Sequence, residues 1–202
     1  MRSGRVSIVA AALALALLPA CRASSYAQMT CSDEQRQNLL HLVAQAVPSA
    51  TVLPCVRRFP TGWSYAGAEV RSGLVHFWLD SDRVGTDAVD VTMTATCDVT
   101  GDMATPMREL PMTPSERRRA GDAGLVLYEE PAAEHPSITV LHYVAPGGCA
   151  TVRYSFTRQT AATEFAEAQG LLGYNLRSDY VAGIQRESGL TLCGAGAPAR
   201  PG

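Results

Sequence analysis

The 202-residue chain contains no lysine, and all seventeen of its basic residues are arginine. Lysine is required by the phosphate-binding Walker motif, by Schiff-base enzymes, by protein kinases and by the Ser-x-x-Lys acylating pair. Its absence therefore excludes these four chemistries. Nineteen acidic residues bring the formal net charge to −2. Because no basic excess is available to attract phosphate, nucleic acid is not an expected partner.

Recognisable metal and nucleophile motifs are also lacking. None of the six cysteines forms the Cys-x-x-Cys spacing that zinc knuckles and thioredoxin-type sites use. The segment DSDRVGTD, residues 80–87, begins like a calcium loop but has Val84 and Val91 where oxygen ligands belong. GWSYAG resembles a nucleophile elbow, but Ala66 replaces its second glycine. We therefore expect no metal site, no cofactor and no catalytic residue set.

A charged and then apolar segment begins the chain. Arg2 and Arg5 precede a mostly apolar run, Val6 to Leu18. At about 1.5 Å per residue this run is too short to span about 30 Å of hydrocarbon, and it is typical of a secretory signal. The sequence therefore predicts a signal peptide over residues 1–20 and export of the mature protein.

Two cleavage sites compete after this run. The stretch LPAC, which ends at Cys21, resembles the bacterial lipobox, in which the cysteine is acylated and becomes the new N-terminus. The stretch SYA, residues 25–27, suits ordinary signal peptidase and would release a soluble, secreted chain. Because Cys21 follows the apolar run almost directly, we predict lipidation (palmitate) at Cys21. Residues 21–30 would then be a tether on the outer face of the cytoplasmic membrane.

The remaining five cysteines predict two disulfides and one free thiol in an oxidising compartment. Cys97 ends a long alternating strand and Cys149 begins another, so neighbouring strands would bring their Cα atoms within the ~5.5–6 Å that a disulfide needs. Cys31 and Cys55 flank the first helix, and the chain beyond that helix is long enough to return. We predict the pairs Cys97–Cys149 and Cys31–Cys55 with Cys193 free. The competing arrangement pairs Cys31 with Cys193 and leaves Cys55 free.

Period-two alternation of apolar and polar residues indicates strands through the middle of the chain. In VDVTMTATC, the residues Val89, Val91, Met93, Ala95 and Cys97 would share one buried face, with threonines on the solvated face. The predicted strands are 52–57, 63–70, 74–80, 86–98, 124–130, 137–144 and 149–157.

Helices are predicted on both sides of these strands and in one excursion between them. Ser32 can cap a first helix that Pro48 ends. Thr113 and Glu116 form a capping box for a short surface helix, whose consecutive arginines we interpret as a solvated face. Two further helices are predicted at 160–170 and 175–188.

The order of elements predicts an α+β fold. We expect one domain, residues 31–193, built mainly on an antiparallel sheet of about seven strands. One N-terminal and two C-terminal helices would pack on one face of that sheet. Residues 194–202 are rich in glycine and proline and are predicted as a disordered tail.

Histidines carry the alternative hypothesis of an enzyme. His76 and His142 lie on strands that, if they face each other, could bind a metal or shuttle protons. A hydrolase-like extracytoplasmic enzyme would combine one of them with Asp80 or Asp90. Convergence within about 3 Å in a concave site would favour the enzyme, and dispersal would favour a binding module. His135 has three glutamates nearby, but in a proline-bounded loop without ligand spacing.

Five segments resemble, in this order, a group of actinobacterial exported proteins and lipoproteins of unknown function: VPSATVLPC, FPTGWSYAG, VHFWLDSDRVG, VTMTATCDVTG and APGGCATVRYSFTR. The resemblance covers about residues 45–190. It implies no activity, cofactor or catalytic residue. The sequence thus leads us to expect a lipid-anchored extracytoplasmic binding or interaction module of the cell envelope. Its partners would be the membrane, through the lipid, and an unknown envelope protein or small ligand.

Overall fold

The computed structural model describes residues 28–31, 39–106 and 112–194. The predicted signal peptide, the lipidation site at Cys21, the capping residue Ser32 and the tail from residue 195 onward lie outside these ranges. Within the described ranges, no helix combines the length and the apolar character needed to cross a membrane.

Strands and a smaller number of helices make up the described chain. The strands are β1 (Val52–Val56), β2 (Trp63–Arg71), β3 (Leu74–Ser81), β4 (Gly85–Thr94), β5 (Met103–Thr105), β6 (Val126–Glu129), β7 (Thr139–Ala145), β8 (Gly148–Tyr154) and β9 (Leu172–Leu176). The helices are α1 (Leu40–Ala46), α2 (Pro114–Asp122), α3 (Ala162–Leu171) and α4 (Arg177–Ser188). Each of the seven predicted strands and four predicted helices has a counterpart here.

Seven strands form one antiparallel sheet in the order β2-β3-β4-β8-β7-β6-β5. Hairpins join β2 to β3, β3 to β4 and β7 to β8, so the alternating segments pair with their sequence neighbours as a meander does. The fold is the predicted α+β domain with one N-terminal and two C-terminal helices.

The composition of the sheet differs from the expectation at two strands. β1 is not part of the large sheet, because it pairs antiparallel with β9, with Val52 opposite Leu176. The prediction of helix at residues 175–176 is therefore wrong. Gly173 of β9 packs closely against the Cys31–Cys55 disulfide, where a Cβ would lie 2.6 Å from the Cys31 sulfur. β5 was missed because three residues are too few to show an alternation.

The register predicted for β4 is confirmed from Val89 to Thr94. Val89, Val91 and Met93 are buried, whereas Thr92 and Thr94 are partly exposed on the other face. The expectation that Ala95 and Cys97 continue the buried face is wrong, because the strand ends at Thr94 and Ala95 is exposed. Side chains beyond the last paired residue no longer follow the two-residue period.

All four helices contribute to one hydrophobic core against a single face of the sheet. The core cluster joins inward residues of the sheet such as Val91 to Leu40 of α1, Ala120 of α2, Phe165 of α3 and Tyr180 of α4. The Phe165 ring lies 4.8 Å from that of Tyr154 on β8. Trp78 and the other residues of the opposite sheet face do not belong to this cluster. We call that side, which carries Trp78, Thr92 and His142, the outer face.

The capping box predicted for α2 is confirmed. The Thr113 hydroxyl accepts from the Glu116 backbone N–H, and the Glu116 carboxylate accepts from the Thr113 N–H at 2.7 Å. A second oxygen of Glu116 lies 3.1 Å from an Arg57 guanidinium nitrogen. Burial raises the pKa of Glu116, but the Thr113 hydrogen bonds and the Arg57 charge outweigh it and hold that pKa below its ordinary value.

Candidate functional site

Two disulfides cross-link the domain and leave one exposed free cysteine among the described residues. Cys31 is bonded to Cys55 and Cys97 to Cys149, the same pairs that the sequence favoured, and Cys193 is the free one. The Cα–Cα distances are 5.0 and 5.8 Å, inside the usual range for a disulfide. Disulfides persist in oxidising compartments, so the cross-links are compatible with an exported protein.

The first histidine candidate forms an isolated pair on the outer face. His76 Nε2 lies 2.6 Å from Asp90 Oδ2, and the imidazole lies 4.9 Å from the Trp78 ring. Both members of the pair are about 30% exposed. Asp80, the other carboxylate candidate, instead accepts the Asp87 backbone N–H in a hairpin turn. His76 therefore meets one of the two predicted carboxylates.

The second histidine candidate is buried and has partners on both ring nitrogens. His142 is 5% exposed. Its Nδ1 lies 2.9 Å from the Thr151 hydroxyl, and its Nε2 lies 3.0 Å from Glu130 Oε1. Asp102 Oδ2 is 3.5 Å from the same Nε2. His142 thus binds neither Asp80 nor Asp90, and the carboxylates around it come from other segments.

The loop after β6 joins this cluster, which the sequence did not predict. His135 Nε2 lies 2.9 Å from Glu130 Oε2, so one carboxylate contacts two imidazoles. Ligand atoms of Glu130, Glu134 and His135 all lie within 4.8 Å of one another. The sequence shows three glutamates close to His135, but the contact of Glu130 with His142 depends on β6 pairing with β7 and has no signal in the spacing.

Asp102 is a buried member of this cluster, with a side chain 7% exposed. Burial raises the pKa of Asp102, and the Glu130 and Glu134 carboxylates act in the same direction. The charge of His142 opposes them with a smaller effect than burial. We refer to Asp102, Glu130, Glu134, His135 and His142 as the acid–histidine cluster.

His76 and His142 do not share a site. Backbone pairing places Thr92 and Thr151 between them in one row across the sheet. Three inter-strand spacings of about 4.8 Å separate the two histidines by about 14 Å. The hypothesis that they lie on facing strands and bind one metal is therefore wrong.

A cavity of about 280 Å³ lies elsewhere, between α2, α4 and the β1–β9 pair. Val52, Tyr174 and Leu176 contribute its strand side, and Ala120 and Tyr180 contribute apolar atoms from the helices. Neither His76 nor His142 lines this cavity. The predicted convergence of histidine and carboxylate thus occurs, but on the outer face of the sheet and apart from this concave space.

Charged side chains of both signs surround the cavity. Arg57 and Glu116 are paired with each other. Among the described residues, four further charged side chains of the lining have no ion-pair partner within 4.0 Å: Arg119, Asp179, Arg186 and Glu187. Arg119 belongs to the arginine run that the sequence analysis interprets as a solvated face, and it is exposed. No serine, threonine, cysteine or histidine is among the described residues that line the cavity.

One glycine keeps part of this space open. Gly183 lies in the middle of α4 and lines the cavity. A Cβ at this position would meet no atom within 4 Å. Glycine inside a helix is less stable than alanine by roughly 0.5–1 kcal/mol. Gly183 therefore makes α4 less stable than alanine would, and it leaves free volume in the cavity.

Comparisons with models of protein families, with curated proteins and with solved structures find no match to this chain. The resemblance to actinobacterial exported proteins therefore stays a prediction, and the functional reading rests on the geometry above.

Proposed function

We propose that the protein is an exported, lipid-anchored binding module that holds a small ligand of mixed charge in the cavity between α2 and α4. The observation that carries the proposal is the lining of this cavity, which offers exposed charges of both signs that form no ion pair with the described residues. The described residues of the lining include no serine, threonine, cysteine or histidine, and Glu116 is held by Arg57. Such a lining is suited to recognition of a charged ligand.

The charges define the class of ligand. A guanidinium presents a planar fork of donors to a carboxylate, so Arg119 and Arg186 are suited to the anionic end of a ligand. The Asp179 and Glu187 carboxylates can accept from an ammonium group. Tyr174 adds apolar surface for the body of the molecule. A volume of about 280 Å³ is at the small end of ligand pockets, which favours a free amino acid or a short peptide.

The proposed location follows from the N-terminal sequence and agrees with the disulfides. Lipid on Cys21 would hold the domain at the outer face of the cytoplasmic membrane, with residues 21–30 as a tether. Attachment through one acylated residue leaves the folded domain free to meet ligands in the extracytoplasmic space. The alternative remains a secreted and soluble chain that begins after residue 27.

An extracytoplasmic enzyme is the second candidate function. It is favoured by the hydrogen-bonded chain from Thr151 through His142 to Glu130, which contains a hydroxyl, an imidazole and a carboxylate. Such sets activate a nucleophile when the hydroxyl faces substrate. Hydrolysis of model esters or amides that is lost in both Thr151→Ala and His142→Gln would support the enzyme. The same activity in both variants would contradict it.

The binding proposal is tested by filling the cavity. Gly183→Leu adds a side chain to the free volume beside α4, and Gly170→Leu makes the same change in α3, where a Cβ also meets no atom within 4 Å. Calorimetry with a panel of free amino acids and dipeptides should show binding to the wild type and to Gly170→Leu. Gly183→Leu should weaken it at least about tenfold. Equal binding by both variants, or no binding by the wild type, contradicts the proposal.

A further inference from the structure

The acid–histidine cluster has the composition of a metal site, and it lies apart from the proposed ligand cavity. Three of its members, Glu130, Glu134 and His135, bring one ligand atom each to within 4.8 Å of one another. Two imidazole nitrogens and several carboxylate oxygens are ligands that divalent cations use. A second group, Cys97, His142 and Cys149, is equally close, but its sulfurs are joined in a disulfide and are not available.

Two buried oxygens of the cluster accept no hydrogen bond from the described residues, although each lies near an imidazole nitrogen. Glu130 Oε2 accepts no hydrogen bond, although His135 Nε2 is only 2.9 Å away. Asp102 Oδ2 also accepts none, and the Asp102 side chain is 7% exposed. Leaving a buried polar atom unsatisfied is costly, and for a charged oxygen more so. A cation between Glu130 and His135 would satisfy the lone pair of Glu130 Oε2, which accepts no hydrogen bond from the described residues.

The charge of the cluster also favours a bound cation. Asp102, Glu130 and Glu134 bring three carboxylates next to two histidines. The ion pairs that arginines make in the described chain involve other carboxylates, for example Arg158 with Glu129. Grouped, partly buried carboxylates repel one another unless a positive charge is present. A divalent cation would supply that charge.

His142 is suited to orient the central carboxylate. Its Nδ1 is held by the Thr151 hydroxyl at 2.9 Å, and its Nε2 faces Glu130 Oε1 at 3.0 Å. Ligating carboxylates in metal sites are commonly fixed by such hydrogen bonds. With one oxygen held by His142, Glu130 turns the other toward His135.

We propose that Glu130, Glu134 and His135 bind a divalent cation of the zinc class, with His142 orienting Glu130 and Asp102 lying behind His142. The imidazole nitrogen favours zinc and its first-row neighbours over Ca²⁺ and Mg²⁺, which prefer sites made of oxygen atoms. Four-coordinate zinc with bonds of about 2.0–2.1 Å sets its ligand atoms about 3.3 Å apart. The separation of 2.9 Å between His135 Nε2 and Glu130 Oε2 is near that distance, and Glu134 brings an oxygen within 4.8 Å of both residues' ligand atoms.

The test uses the mature protein without a polyhistidine tag, stripped with EDTA and titrated with Zn²⁺ against a chromophoric chelator. The wild type should bind one zinc ion per chain, and Ca²⁺ or Mg²⁺ in excess should not displace it. Glu130→Gln and His135→Ala should each weaken zinc affinity by about tenfold or more. His135 is exposed, so its replacement should leave the circular dichroism spectrum unchanged.

Two control variants exclude other zinc ligands. His76→Ala removes a histidine from the same sheet face but not from the cluster, and Cys193→Ser removes the exposed thiol. Both should bind zinc as the wild type does. The proposal is overturned if the wild type binds no zinc, if Glu130→Gln and His135→Ala bind it unchanged, or if a control variant loses it. None of these outcomes depends on the α2–α4 cavity.

Discussion

Replacing Val91 with alanine tests the orientation of the large sheet. Val91 is fully buried, and it lies between Phe77 on β3 and Val152 on β8. The change removes the equivalent of two methylene groups, about 1.6 kcal/mol at roughly 0.8 kcal/mol each. A residual cavity of about 25–50 Å³ adds ~0.6–1.2 kcal/mol at ~24 cal/mol per Å³. We therefore expect a loss of about 2–3 kcal/mol in the free energy of unfolding.

The matched control is the adjacent residue on the other face of the same strand. Thr92 is partly exposed and has His76 and Thr151 as its cross-strand neighbours. Thr92→Ala should cost less than about 1 kcal/mol, because it loses cross-strand contacts but opens no core cavity. We therefore predict that Val91→Ala lowers the free energy of unfolding more than Thr92→Ala does. Both residues lie on the same strand between the same neighbouring strands, so only the face of the sheet differs.

Urea unfolding with the disulfides intact measures both variants. Unchanged slopes of free energy against urea would show that only stability has changed. Val91→Ala should also lower the melting temperature by roughly 5–10 °C for a domain of this size. The reasoning is refuted if Thr92→Ala is as destabilising as Val91→Ala, because the core would then not lie on the face that carries Val91.

Three further predictions concern the anchor, the capping box and a disulfide. Cys21→Ala should move the protein from the membrane to the soluble fraction, and intact mass should show acyl groups on the wild type; a mature chain that begins after residue 27 contradicts this. Glu116→Gln should cost about 0.5–1 kcal/mol at pH 7. Because the pKa of Glu116 is lowered from 4.5, its contribution is lost as pH falls below that value, so urea midpoints of variant and wild type should converge in acid; a constant difference argues against this. Replacing Cys31 and Cys55 together with alanine should cost roughly 3.5 kcal/mol by loop entropy for a separation of 24 residues, measured by urea unfolding, and a loss under about 1 kcal/mol would contradict that estimate.

Segments with a strong local pattern were predictable. β4 alternates from Val89 to Thr94, and each inward residue there must be apolar because only one face is covered by helices. The capping box of α2 needs only Thr113 and Glu116, which are three residues apart and interact within one turn. Such features depend on neighbours in sequence, so they are visible before the chain is folded.

The acid–histidine cluster could not be predicted in the same way. Asp102, Glu130 and His142 come from three segments, and the sequence shows no spacing that relates them. They meet because β7 pairs with β6 on one side and β8 on the other, and because the loop around His135 turns back toward Glu130. The α2–α4 cavity likewise joins residues from the middle and the end of the chain.

The sequence by itself determined the class of fold, most strands and helices, the pairs of cysteines to favour, and the chemistries that the lack of lysine excludes. These follow from composition and from periods of two or about four residues, which local sterics and burial impose. Only the tertiary structure decided that β1 leaves the large sheet for β9, that His76 and His142 are separated by two strands, and where charges converge. Those outcomes depend on the packing of distant segments, because a five-residue strand such as β9 is stabilised by its partner and not by its own pattern.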